Sequence, residues 1–230
     1  MATPENLDLS VVSFEEFTEF FFHRPENEEF WYQEPIYQWG NVNVSDPAAL
    51  VDHATRLFSE FGTIGRKYTL AQIDHGIWAL LAEASPLSIQ EYLWNPSVSL
   101  EKRIQCVQSM FHVYSDFVAG SEEDEMVGCF YMWWDFIGDG FWSSAGLTKQ
   151  NNAALLSQDL KLLLDAMFDT LKRILELPDP RTQWYALHGL GHLHHPAVRD
   201  LVQSFIHQHQ NEFNEEARDW VEQCRDGTVM

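Results

Sequence analysis

The chain has 230 residues, 45% of them hydrophobic and 14% aromatic, which excludes a disordered chain and allows one domain to bury a sizeable core. Thirty-five acidic against fourteen basic residues leave a net charge of −21, which argues against direct contact with nucleic acid or an anionic membrane face, because both need basic patches. No apolar run approaches a membrane span, MATPENLDLSVVSFEEF lacks the regions of a secretory signal, and Cys106, Cys129 and Cys224 are too few and scattered for a disulfide framework; the expected location is a reducing cytoplasm, with no cofactor.

Ser13 and Glu16 have capping-box spacing ahead of a Phe-rich segment and predict a helix over 13–23. Residues 24–46 hold two prolines, a glycine and five aromatics, and read as a loop packed down by its own rings. Asp46-Pro47 supplies a cap acceptor and a first-turn proline for a helix over 47–61, with Gly62 placed as a left-handed cap. Leu70, Ile73, Ile77, Leu80, Leu81 and Ala84 share one face of a helix over 69–84, and Ser85-Pro86 opens another over 86–94. Leu100, Ile104, Val107, Phe111, Tyr114 and Val118 mark a helix over 99–119, closed by Gly120.

The acids of Ser121–Glu125 suit the first turn of a helix over 123–137. IGDGFWSSAGLTKQNN (137–152), with three glycines, reads as a second loop. Leu160, Leu163, Met167, Leu171 and Ile174 indicate a helix over 153–176, Asp179-Pro180 opens one over 180–193, and further helices follow over 196–209 and 213–224. There is no convincing strand period and no linker composition. The expected fold is all-α, one domain (1–230) of about ten helices.

ALHGLGHLHHPAVRDLV (Ala186–Val202) divides into a helix with small positions at Ala186, Gly189 and Gly191, a turn at His194-His195-Pro196, and a second helix. It resembles a HEAT-type helical repeat. Asp74–Leu80 (DHGIWAL) is a fainter echo of Leu187–Leu193 (LHGLGHL). The resemblance covers 180–209 and, more weakly, 69–94. It implies stacked helix pairs in an irregular α–α superhelix of the HEAT or armadillo kind, and no particular activity. WWDF and ALHGLGHL also resemble segments of uncharacterised bacterial proteins, which implies a bacterial source.

Two acidic blocks lie beside aromatics: residues 1–62 hold twelve acids against two arginines, and 121–180 eleven against four. One reading is a non-catalytic protein-binding module, an immunity- or inhibitor-type protein that covers a basic partner such as a nucleic-acid-cleaving toxin. Glu26, Glu28, Glu29, Glu122, Glu123, Asp124, Asp135 and Asp139 would steer the encounter, and Trp31, Trp134 and Trp142 would fill the centre of the contact. Asp135 and Asp139, four apart among large rings, also have the look of a paired-carboxylate acid–base site, and plain core packing explains the same rings.

The alternative is a metal-dependent enzyme. His188 and His192 share a helix face, His195 lies one turn further, and neutral imidazoles at such spacing bind zinc. Asp74 and His75 are further donors from the echo. Against this stand Gly189, where the metalloprotease motif has glutamate, and the lack of the His-Glu pairs that HEAT-like di-iron hydroxylases use. A structural scaffold subunit is the third possibility. There is no phosphate loop, nucleophile elbow or Cys-x-x-Cys pair.

Overall fold

Capping chemistry sets most helix starts. α1 (Phe14–Phe22) opens on a complete capping box, in which Ser13 Oγ accepts the Glu16 N–H and the Glu16 carboxylate accepts the Ser13 N–H. α2 (Pro47–Ser59) opens on Asp46 and runs into α3 (Phe61–Ile64). α4 (Leu70–Leu81) opens on a Thr69–Gln72 capping box. α5 (Gln90–Leu93) is one turn, and α6 (Leu100–His112) is capped by Ser99. α7 (Gly128–Ser144) is followed by α8 (Gln158–Leu175), capped by Ser157, and α9 (Pro180–Leu193), capped by Asp179. α10 (Val198–Gln208) and α11 (Glu215–Asp226), the latter capped by Asn214, complete eleven α-helices among the described residues. The computed structural model describes residues 7–28, 30–37, 41–82, 85–121, 128–147 and 153–229. The all-α expectation holds, and no helix among these residues is long and apolar enough to cross a membrane. The chain groups into two compact units, 1–129 and 130–230, divided inside α7 where no linker marks the sequence.

In the N-terminal unit α2 lies along α6, and α1 packs on α4. The α1–α4 contact is close because Gly76 has no side chain: a Cβ there would sit 2.4 Å from the Phe22 ring. Several expected boundaries move. α6 ends at His112 and continues as a π turn, Val113–Val118, where the Ala119 N–H donates to the Tyr114 carbonyl (2.8 Å). Gly62 and Gly120 are not left-handed caps, since neither has a positive φ; Gly62 instead lets α3 approach this turn, its Cβ position being 2.8 Å from Asp116 Cβ. The helix expected over 86–94 shrinks to α5, because the Ser85 hydroxyl folds a turn by donating to the Ala79 carbonyl and accepting the Leu87 N–H.

The loop over 24–46 is indeed held by its rings, around a cation. Arg24 is buried, with its guanidinium 3.9 Å from the Trp31 ring centre and about 5 Å from those of Phe20 and Tyr37. It donates to the Phe20 carbonyl and to the Tyr37 hydroxyl. Arg24→Ala is expected to cost about 3 kcal/mol in urea unfolding, since it removes charge-assisted hydrogen bonds and desolvated cation–π contacts together. Arg24→Lys should recover less than half, because an ammonium cannot reproduce the fork. A loss under about 1 kcal/mol for alanine would contradict this account.

A parallel pair of two-residue strands, β1 (Leu7–Asp8) and β2 (Val42–Asn43), was not foreseen. Asp8 explains it. Its carboxylate accepts the Ser10 N–H and hydroxyl and the Ser45 N–H, while Ser10 Oγ accepts the N–H of Asp46, the α2 cap. Burial pushes the Asp8 carboxyl up, but the hydrogen bonds from Ser10 and Ser45 outweigh it and hold the group at about 2. The folded value lies below the unfolded one, so the clamp is at full strength above about pH 4 and is lost as pH falls toward 2. An acid titration followed by circular dichroism should therefore fall more steeply between those values for the parent than for Asp8→Asn. Superimposable curves would refute the clamp.

In the C-terminal unit α8 packs on α9, α9 on α11, and α10 on both. α7 runs on to Ser144, which extends the expected helix over 123–137 and corrects the expected loop from 137, while the expected start at 123 lies outside the described residues. The glycines misled: Gly138 and Gly140 are ordinary helical positions, and Trp133, Trp134, Ile137, Phe141 and Trp142 continue one buried stripe. All three cysteines are buried and outside any disulfide, and burial pushes the Cys106 thiol up to about 12 and that of Cys224 up as well, so they act as core residues.

Candidate metal centre

α9 carries His188 and His192 one turn apart, with Gly189 between them. A Cβ on Gly189 would lie 2.5 Å from Trp134 Cβ, and one on Gly138 would lie 3.5 Å from the His192 carbonyl oxygen. The small positions thus bring α7 onto α9, and they place Asp135 between the two imidazoles. Trp142 locks the far end by donating its Nε1–H to the Leu193 carbonyl (3.1 Å), one of the acceptors the end of α9 leaves open.

Asp135 Oδ1 lies 3.4 Å from His188 Nδ1 and 3.5 Å from His192 Nε2. One donor atom from each of the three residues falls within 4.8 Å of the other two, and among the described residues this is the one such group of His, Cys, Asp or Glu. The side chains are 12%, 1% and 16% exposed for Asp135, His188 and His192, so the cluster sits just below the surface with His192 at its rim. His188 is the most constrained. Its ring stacks on Tyr131 (3.9 Å, 17°), its Nδ1 is 3.3 Å from the Tyr131 carbonyl oxygen, and its Nε2 is buried with no hydrogen-bond partner. Burial pushes the imidazole below its ordinary value, and the Tyr131 hydrogen bond only partly opposes this. His188 is therefore neutral near pH 7, the state in which imidazole offers a lone pair.

The structure redistributes the residues expected from sequence. His195, the expected third histidine, leaves the face because α9 ends at His194 in the left-handed region (φ 53°). Its Nδ1 accepts the Ala197 N–H, its Nε2–H reaches Asp165 (3.0 Å), and its ring stacks on Phe168. Its lone pair caps the turn. Asp135, expected at a protein interface, takes the third place in the cluster. Asp139 is half-buried one turn further along α7. Trp134 and Trp142 are 1% exposed and Trp31 is 3% exposed, which corrects their expected role as interface anchors: the rings pack on Gly189, hold α9 and sit under Arg24, respectively. Glu26 and Glu28 are exposed, whereas Glu29, Glu122, Glu123 and Asp124 lie outside the described residues. Asp74 and His75 belong to the N-terminal unit, where the Asp74 carboxylate accepts the Cys129 N–H. Asp135 was discernible only as an acid inside an aromatic helix, a place where an unshared charge is costly.

Compared with models of known protein families, with curated protein sequences and with solved structures, the chain matches none.

Proposed function

We propose that the C-terminal unit binds one divalent transition-metal ion of the zinc class through Asp135, His188 and His192. The observation that carries this is the spacing. Donors bound to zinc at the usual lengths stand about 3.3–3.4 Å apart along a tetrahedron edge, and the two nitrogen–oxygen separations here are 3.4 and 3.5 Å. Those separations are long for direct hydrogen bonds and suit an ion between the groups.

Three protein donors of this mixed kind are the set of hydrolytic rather than closed structural zinc sites. A bound ion would supply Lewis acidity and a water acidified to a pKa of about 7. The chain's own contribution is positional: Tyr131 holds the His188 ring by stacking, Gly189 sets the α7–α9 distance, and Asp135 provides the negative charge that favours a cation. Protein purified without an affinity tag should retain about one equivalent of metal, or take it up from zinc, iron(II) or cobalt(II) buffers. Substoichiometric metal and no uptake of any of the three would overturn the reading.

A second reading rests on the charge of −21: an immunity- or inhibitor-type contact with a basic protein partner, steered by exposed acids including Glu26 and Glu28. Charge reversal at these two positions should slow association with such a partner and flatten its salt dependence.

A further inference from the structure

A different part of the C-terminal unit carries a second site. α9 and α11 leave an open cavity of about 960 Å³, whose wall includes Tyr131, Trp184 and Trp220 and whose mouth carries Glu215, Glu216 and Asp219. Trp184 and Trp220 meet with ring centres 4.6 Å apart and planes inclined at 50°, so the two indoles are in contact and present one aromatic wall to the cavity. Trp220 also lies nearly parallel to the buried His188 ring (13°, centres 6.3 Å apart), and Tyr131 lines the same wall. The three acids are exposed, while the rings are half-buried.

We propose that this cavity binds a small alkylated ammonium ion of the choline type. The π faces of Trp and Tyr attract a cation, most strongly where water is displaced, and Trp is the best of them. Three carboxylates at the mouth add long-range attraction. The half-positive N-terminus of α11, capped by Asn214, opposes a cation, but about half a unit of positive charge is outweighed by three negative ones. Alkylation decides the class. A bare ammonium is strongly hydrated and would leave its donors facing ring carbons, whereas a quaternary ammonium has no donors to satisfy and is cheap to desolvate. In the N-terminal unit the chain applies the same chemistry to itself, with Arg24 over Trp31. The site shares Tyr131 with the metal cluster but does not depend on a metal.

The test is calorimetric titration of the full chain, stripped of metal by chelation, with tetramethylammonium, choline, ammonium, and the neutral carbon isostere of choline. Choline and tetramethylammonium should bind saturably, and the isostere and ammonium at least about tenfold more weakly. Trp220→Ala should lower choline affinity at least about tenfold. If that variant does not fold, Asp219→Asn, at an exposed position, should still weaken choline several-fold and reduce the salt dependence. No saturable binding of either quaternary ion, or equal binding of the isostere, overturns the proposal. So does a trimethyl-lysine peptide that binds where choline does not, since it would move the site to a protein partner.

Discussion

Replacing Gly189 by alanine will lower the melting temperature of the protein by roughly 4 °C or more and will weaken metal binding at the same time. The added methyl would sit 2.5 and 2.8 Å from Trp134 Cβ and Cγ and 2.9 Å from Leu171 Cδ2. Trp134 Cβ and Cγ lie close to the backbone of a fully buried side chain, so no rotamer change relieves the overlap. α7 must move off α9. Overpacking of this kind costs about 1–3 kcal/mol and sometimes more, and for a unit of this size each kcal/mol is worth about 4–8 °C. Gly128→Ala is the control. It is an exposed helical glycine whose added Cβ would meet nothing within 4 Å, so the change should be neutral or slightly stabilising through helix propensity. If calorimetry gave Gly189→Ala a melting temperature within about 2 °C of the parent, the close approach that builds the cluster would be wrong.

Asp135→Asn will reduce zinc affinity by at least roughly a hundredfold, while His195→Ala will leave it within about threefold. Even outer-shell partners of a bound metal typically cost 10–100-fold, and Asp135 is placed to ligate directly, with one oxygen facing both imidazoles. Asparagine keeps the size and removes the charge. His195 is spent elsewhere, accepting the Ala197 N–H and pairing with Asp165. His195→Ala should instead cost about 1 kcal/mol of stability through the lost turn contact. The pair of variants separates two donor sets, the three histidines suggested by sequence spacing and the Asp-His-His cluster of the fold. Substituting cobalt(II) for zinc gives an independent reading, because visible absorption of tetrahedral intensity should vanish in Asp135→Asn and persist in His195→Ala. The reverse pattern would put His195 back in the site and remove Asp135.

Much of the architecture is legible one segment at a time. The box at Ser13–Glu16, the Asp-Pro starts at 46–47 and 179–180, and the apolar stripes from Leu70 to Leu81 and from Leu163 to Ile174 are local patterns, and each gives a helix where the pattern stands. Caps and periodicity act within a turn or two, so a single segment carries the whole signal. Glycines and tryptophans are different. Gly62 could cap or could admit a neighbour, and Gly138 could break α7 or sit inside it; the choice depends on what packs against them, which for Gly62 is Asp116 and for Gly138 is the His192 backbone. Trp142 reads as an exposed anchor until the Leu193 carbonyl is beside it. The candidate site divides in the same way. His188 and His192 share a face by helix period alone, so the sequence itself determined that half of the cluster. Asp135 stands 53 residues before His188, on another helix, and only the packing of α7 on α9 through Gly189 brings its charge between the two rings. His195 was lost to a left-handed turn at His194, set by where α9 ends and by the acceptors and rings that wait there, which no spacing rule contains.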